Sequence, residues 1–177
     1  QRPMCIETVV GSGFGGLAAA HHLKQAGIDD FIILERAGDV GGVWRDNSYP
    51  GCACDVQSHL YSFSFAPNPD WSRAFSPQAE IHAYLQRCAQ SLGLMPHVRL
   101  NHEVRQAAWD DTSGTWLIQT SAGPIRAQHL VGGFGSLSDP MIPKLRGVES
   151  FKGEVFHSAH WPREFNPSCL LYTSDAA

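Results

Sequence analysis

The sequence lacks a basic cluster and a long apolar run, and each absence excludes a class of partner. Its 177 residues carry 13 Lys and Arg against 17 Asp and Glu, a formal net charge of -4. Neither a nucleic-acid surface nor an anionic membrane is therefore an expected partner. No uninterrupted apolar stretch approaches the roughly 20 residues of a membrane helix, and the amino terminus lacks the layout of a signal peptide. These absences predict a cytoplasmic protein.

Cysteine is sparse and irregularly spaced, at Cys5, Cys52, Cys54, Cys88 and Cys169. This spacing matches neither a disulfide framework nor the paired CxxC of a zinc site. No metal is therefore expected. The remaining composition, with 43% hydrophobic and 17% charged residues, is that of a globular chain with one core.

The last nine residues, CLLYTSDAA (169–177), match the translation of a transposase adapter used in shotgun sequencing. We therefore expect them not to be native and leave them out of the fold prediction. On this interpretation the native sequence ends near Ser168 and is a fragment of a longer protein.

The first part of the chain has the pattern of a βαβ unit. An apolar strand, Ile6–Val10, precedes the glycine-rich stretch GSGFGG, and helical periodicity then continues to Gly27, a plausible helix stop. A second apolar run occupies Phe31–Glu35. Two parallel strands so close in sequence require the intervening helix as their crossover. Glu7 and Thr8 are more polar than a central parallel strand usually allows.

The glycine-rich stretch predicts a dinucleotide site. Gly11, Gly13 and Gly16 occupy the GxGxxG positions, where they allow a tight turn, the approach of a pyrophosphate and close packing of helix on strand. The helix amino terminus would offer free N–H groups to the phosphates. Glu35 follows about 20 residues later, at the end of the second strand, where a carboxylate accepts hydrogen bonds from a ribose.

Gly41–Phe65 is too rich in Gly, Pro and aromatic residues for regular structure, and it indicates a long functional loop. Its aromatic residues could wall an apolar slot beside a ligand, with Asp55 supplying one charge. A structural coil whose aromatic residues fill the core explains the same composition equally well.

The middle of the chain predicts scaffolding and completes an α/β fold. Ser76 as N-cap, Pro77 at the first helical position and Gly93 as stop delimit a helix. Three runs, VRLNHEVRQAAWDD, TWLIQTSAG and IRAQHLVGG, predict short strands separated by turns, which form a small antiparallel β layer on the parallel sheet. Trp109 and Trp116 flank the first turn of this layer, and we expect them to be packing residues.

Glycines and prolines then mark a crossover, followed by the stretch FKGEVFHSAHWP at Phe151–Pro162. Together with GSGFGGL, GGVW, YPG and CDVQSHLYSFSF, this stretch resembles the class B flavoprotein monooxygenases. The pattern FxGxxxHxxxWP is the fingerprint of their Baeyer–Villiger type, and Trp161 is the discriminating position. One departure is Gln57, where the family usually has Pro.

The resemblance implies a Rossmann-like FAD-binding domain over residues 1–143 and an inter-domain linker over residues 144–168. The implied cofactors are FAD and NADPH, and the implied substrates are O2 and a small-molecule ketone. The residues that it implies for FAD binding are Gly11, Gly13, Gly15, Gly16, Glu35, Gly42, Val43, Trp44, Asp55, Tyr61 and Val104.

The resemblance also implies two residues that act in the reaction, Asp55 and His157. Asp55 would lie beside the flavin. The alternative role for its carboxylate is to cap a neighbouring helix or turn. His157 would belong to a hinge that controls domain position and would not be the general base. Two other functions stay open, a relative that oxygenates nitrogen or sulfur and an FAD-binding fragment without activity.

Overall fold

A computed structural model describes residues 7–162 and 164–165. Four parallel strands form the main sheet in the order β3-β2-β1-β7. Their bounds are β1 Glu7–Val10, β2 Phe31–Leu34, β3 Val98–Arg99 and β7 Leu130–Gly132. Helix α1, Phe14–Gln25, is the crossover from β1 to β2. The predicted βαβ unit is therefore confirmed, and β1 lies between β2 and β7.

Strand β2 is apolar throughout because both of its faces are covered. Phe31 and Ile33 pack into the main core with α1 and the later helix α3 (Gln78–Ser91). Ile32 and Leu34 pack on the opposite face against the antiparallel layer. All four side chains are buried, which explains the continuous apolar run.

The two polar residues of β1 are accommodated differently. Thr8 is fully buried in the sheet. The Glu7 carboxylate lies 2.8 Å from His129 Nδ1, in the turn that precedes β7. Glu7 thus contacts the residue that precedes β7, and the two side chains form an ion pair when His129 is protonated. Ile6, which the sequence assigned to this strand, lies outside the described residues.

The second sheet is antiparallel, in the order β4-β5-β6. It consists of β4 Val104–Asp110, β5 Thr115–Thr120 and β6 Gly123–Ala127. The predicted antiparallel layer is confirmed. The assignment of the first and third predicted runs to this layer over their whole length is wrong. The first run also supplies β3 and the third also supplies β7. Each run divides at a turn, where Asn101 adopts a φ of 58° in the first.

Helix α3 begins one residue later than a Ser76 cap would allow. Its N-cap is Pro77, with no side-chain hydrogen bond. The prediction of Ser76 as N-cap is wrong because this side chain is buried and its Oγ lies 2.6 Å from Ser58 Oγ. Gly93 follows the C-cap with a φ of 65°, as expected for a helix stop.

Apart from α3, the chain between β2 and β3 contains little regular structure. Gly41–Phe65 holds one short helix, α2, at Val43–Asp46, and a 3-10 turn at Ser58–Leu60. A further 3-10 turn, Met95–His97, precedes β3. Among the described residues, no helix is long and apolar enough to cross a membrane.

The segment predicted as an inter-domain linker carries two 3-10 turns, Val148–Ser150 and Ser158–His160. Around the second turn, Phe156, Trp161 and Phe165 pack edge to face with ring centroids 4.9 to 5.4 Å apart. Residues 169–177, which the sequence assigned to an adapter, lie outside the described residues.

Candidate functional site

A cleft of about 850 Å³ opens at the carboxyl ends of β1, β2 and β7. This edge is the usual ligand site of an open parallel sheet, where connections leave neighbouring strands in opposite directions. Its lining includes most of the residues that the sequence predicted for a dinucleotide, namely Gly11, Gly13, Gly15, Glu35, Gly42, Val43, Trp44, Tyr61 and Val104. Gly16, Asp55 and His157 do not line it.

The glycine-rich turn is built on backbone contacts that admit no side chain. Gly11 has a φ of 95°, and a Cβ there would lie 2.5 Å from Gly133 O. A Cβ on Gly16 would lie 1.8 Å from Gly11 O, and one on Gly133 would lie 2.8 Å from Gly16 Cα. The three glycines allow the ends of β1 and β7 to pack against α1. Gly16 therefore supports the turn that lines the cleft without lining the cleft itself.

Gly13 packs closely against the backbone of the neighbouring loop. A Cβ on Gly13 would lie 3.5 Å from Gly42 Cα, and a Cβ on Gly42 would lie 3.1 Å from Gly13 Cα. Gly13 is also the N-cap of α1, and no side chain caps that end. The N–H groups of the first turn therefore remain available for an anion in the cleft.

Glu35 stands at the end of β2 and is 4% exposed. Its Oε2 accepts hydrogen bonds from Ser12 N at 3.1 Å and Ser12 Oγ at 2.6 Å. Its Oε1 accepts from Ala37 N at 2.9 Å and lies 3.0 Å from Arg45 Nη1. A carboxylate accepts about four hydrogen bonds, so a ribose hydroxyl would have to replace one of these partners.

Aromatic rings form one wall of the cleft. Trp44 Nε1 donates to Tyr61 Oη at 2.9 Å, and the Phe14 ring meets the Tyr61 ring edge to face at 5.1 Å. Burial raises the pKa of the Tyr61 phenol; the hydrogen bond from Trp44 opposes this, and the nearby Cys54 and Asp55 add to the rise. The phenol is therefore neutral at physiological pH, and the wall is largely apolar.

Asp55 lies outside the cleft and is exposed. Its negative charge nevertheless contributes to the raised pKa of the Tyr61 phenol. The 3-10 turn that follows has Gln57 as N-cap and no side-chain cap. Asp55 thus stands near one wall residue, and its carboxylate does not cap this turn.

Val104 and His157 approach the cleft region from different segments. Val104 begins β4 next to a register shift against β5 and is half-buried at the cleft. His157 is half-buried in the linker, where its Nδ1 accepts from Ala159 N at 3.1 Å. The neutral ring therefore carries its proton on Nε2 and caps the 3-10 turn at Ser158–His160.

Of the residues of this site that were not predicted from the sequence, three hold its shape. Ser12 and Arg45 hold the Glu35 carboxylate, and Gly133 closes the turn from the β7 side. A signal existed only for Gly133, since a Gly pair follows the apolar residues of β7. Ser12 fills a variable position of GxGxxG, and Arg45 has no motif of its own. In the described ranges, no group of three or more His, Cys, Asp or Glu could hold a metal ion.

The parallel sheet, the glycine-rich turn and the carboxylate after β2 together define a dinucleotide-binding domain of the Rossmann type. A family model described as an NAD(P)-binding Rossmann-like domain matches residues 9–77. This match covers the end of β1, all of α1 and β2, and the loop that supplies Gly42 and Trp44.

Relatives of known name extend the similarity over most of the chain. A Baeyer-Villiger monooxygenase of Streptomyces coelicolor is 56% identical over 158 residues, which cover 89% of this chain and 30% of that protein. A Baeyer-Villiger monooxygenase of Pseudomonas aeruginosa is 47% identical over 163 residues, or 92% of this chain and 31% of that protein. The chain thus spans about 30% of the length of these relatives.

Solved structures agree. The OTEMO complex with FAD and NADP superposes with a TM-score of 0.82 at 32% identity, over 93% of this chain and 32% of that one. Cyclohexanone monooxygenase from Rhodococcus sp. Phi1 bound to NADP+ gives 0.80 at 34% identity, over 91% of this chain and 31% of that one. Over most of its length the chain is thus similar to about a third of several Baeyer–Villiger monooxygenases.

Proposed function

We propose that this chain forms the FAD-binding part of a cytoplasmic monooxygenase that uses NADPH and O2. The enzyme inserts one oxygen atom beside the carbonyl of a small-molecule ketone and releases an ester or lactone. The observation that carries this proposal is the cleft itself. A glycine-rich turn and a buried carboxylate meet there, in a chain 56% identical to a Baeyer-Villiger monooxygenase.

The cleft residues fit FAD. Gly13 and Gly42 approach so closely that a Cβ on Gly42 would crowd Gly13 Cα. Bare backbone at Gly13, which lines the cleft, lets a pyrophosphate approach the α1 amino terminus, which favours its charge. Glu35 would accept a ribose hydroxyl in exchange for one of its present partners. Val104 would meet the adenine through its backbone. Trp44 and Tyr61 offer an apolar wall toward the flavin.

FAD, when bound, supplies the redox chemistry by accepting hydride from NADPH and reacting with O2. The residues of this chain contribute binding, orientation and exclusion of water. Trp44, Tyr61 and Phe14 keep water away from their side of the cleft. Asp55 would orient a polar or cationic group near Tyr61, and His157 would set the position of the linker.

Replacing Gly13 by Trp should abolish FAD binding, because an indole on this cleft-lining residue would occupy the position expected for the pyrophosphate. We expect the unaltered chain to bind FAD noncovalently and to show flavin absorbance after gel filtration. The matched control is Gln128→Trp, which adds the same side chain at an exposed position outside the cleft. Full flavin absorbance in the Gly13→Trp protein would show that the cofactor lies elsewhere.

In an enzyme of the relatives' full length that carries this chain, His157→Ala should impair ketone oxygenation while FAD stays bound. His157 caps a linker turn outside the cleft, so its loss should change domain position and appear as slower flavin reduction by NADPH or faster hydrogen peroxide release. Rapid-mixing single-turnover kinetics separate these steps. A defect confined to oxygen transfer would instead identify His157 as an acid or base.

A further inference from the structure

One face of α3 carries three polar side chains spaced four residues apart, Gln78, His82 and Gln86, which we call the α3 stripe. Residues at this spacing lie above one another on a helix. The stripe runs beside the face that buries Ile81 and Leu85. The packing of α3 on the core therefore fixes the positions of these three residues.

All three side chains bond the segment 39–46, which we call the cleft loop. Gln78 Nε2 donates to Trp44 O. His82 Nε2 lies 2.9 Å from Val40 O, and because a carbonyl only accepts, the ring donates from Nε2. Gln86 Nε2 donates to Asp39 Oδ2 at 2.7 Å. The cleft loop thus runs antiparallel to the helix and is bonded at both of its ends.

Local structure alone gives the cleft loop little stability. Gly41 and Gly42 are consecutive and both have positive φ, 125° and 56°, and ordering glycine costs more backbone entropy than ordering any other residue. Helix α2 has four residues, far fewer than a self-supporting helix requires. Outside contacts must therefore fix the loop.

Residues 41–46 of the cleft loop form part of the cleft lining. Gly42 stands opposite Gly13, where a Cβ would come within 3.1 Å of the Gly13 Cα. Gly41 packs directly on the stripe, since a Cβ there would lie 2.6 Å from His82 Cδ2. Any displacement of the loop toward or away from α3 would therefore move the cleft lining beside Gly13, where the pyrophosphate is proposed to bind.

We infer that the α3 stripe is a set of positioning residues for the FAD site, which act through the cleft loop. The inference rests on the proposed function, because it assigns the stripe a part in FAD binding. None of the three residues lines the cleft. The stripe preorganises the loop, so that FAD binding does not have to supply the cost of ordering it.

The test compares the double variant Gln78→Met/Gln86→Met with Gln90→Met. Met keeps the length of Gln and removes the donor. Gln90 continues the same spacing on α3 but is exposed and donates no side-chain hydrogen bond in the described part of the chain. Hydrogen exchange without FAD should be faster for the amides of residues 41–47 in the double variant, while Val9 and Ile33 in the sheet exchange as before.

FAD titration of the same proteins should give a Kd raised about fivefold or more in the double variant and unchanged in Gln90→Met. His82→Leu should behave like the double variant, and His82→Gln, which restores an N–H donor, should return both readouts toward the unaltered protein. Unchanged loop exchange, or exchange that rises equally in the sheet, would overturn the inference. If the unaltered chain binds no FAD, the proposed function fails, and the exchange comparison still decides the role of the stripe.

Discussion

Replacing Gly16 by alanine should destabilise the protein by about 3 kcal/mol or more. The added methyl carbon would stand 1.8 Å from Gly11 O and 2.8 Å from the Gly11 carbonyl carbon. Both atoms belong to backbone that β1 and β7 hold in place, so the turn has to move as a whole. Urea unfolding followed by circular dichroism measures the loss.

The neighbouring glycine is the matched control. A Cβ on Gly15 would meet Gly133 Cα at 3.8 Å, an ordinary contact, and alanine is a better helix former than glycine. Gly15→Ala should therefore leave the free energy of unfolding unchanged or raise it by about 0.5 kcal/mol. Equal losses at both positions would contradict the backbone contact between α1 and the turn.

Replacing Arg45 by Met should cost about 3 to 5 kcal/mol, because it leaves a buried carboxylate without its cation. Arg45 and Glu35 side chains are 13% and 5% exposed and 3.0 Å apart. Arg45 Nη1 also donates to Asp39 O at 2.7 Å. The exposed pair of Arg105 and Glu103 gives the comparison, and Arg105→Met should cost at most about 1 kcal/mol.

A double-mutant cycle separates the charge from the packing. Arg45→Met combined with Glu35→Gln removes both charges, so the double variant should lose less stability than Arg45→Met alone. Chemical denaturation at one pH and salt concentration gives all four free energies. If the two losses simply add, the pair is not coupled, and the carboxylate is held by Ser12 and Ala37 alone.

Local patterns predicted the first half of the fold well. The apolar strands, the glycine-rich turn and the helix between them are all contiguous in sequence, and the packing role expected of Gly16 is seen in its contact with Gly11. Helix α3 was also predicted, apart from its cap. Ser76 was misassigned because its hydroxyl bonds Ser58 in a distant loop, and a contact of that kind leaves no local pattern.

Sheet membership could not be predicted for the shortest strands. Strand β3 has two residues and β7 has three, and each pairs with a strand far away in sequence. Tertiary packing decides such pairings. The partners of Glu35 were missed for the same reason, since Arg45 reaches it only after α2 folds back over the end of β2. The cofactor roles of the cleft residues, and those of Asp55 and His157, stay predictions.

The pairing of β1 with β7 also has a consequence for the order of events on the ribosome. Strand β2 can join β1 as soon as residue 34 is available, but Thr8 waits for Leu130 and Gly11 waits for Gly133. At synthesis rates of about 5 to 20 residues per second, this interval lasts about 5 to 20 s. During that time β1 has one unpaired edge and the cleft lacks a wall. Nascent chains are therefore most exposed to mispairing at the strand that later carries the glycine-rich turn.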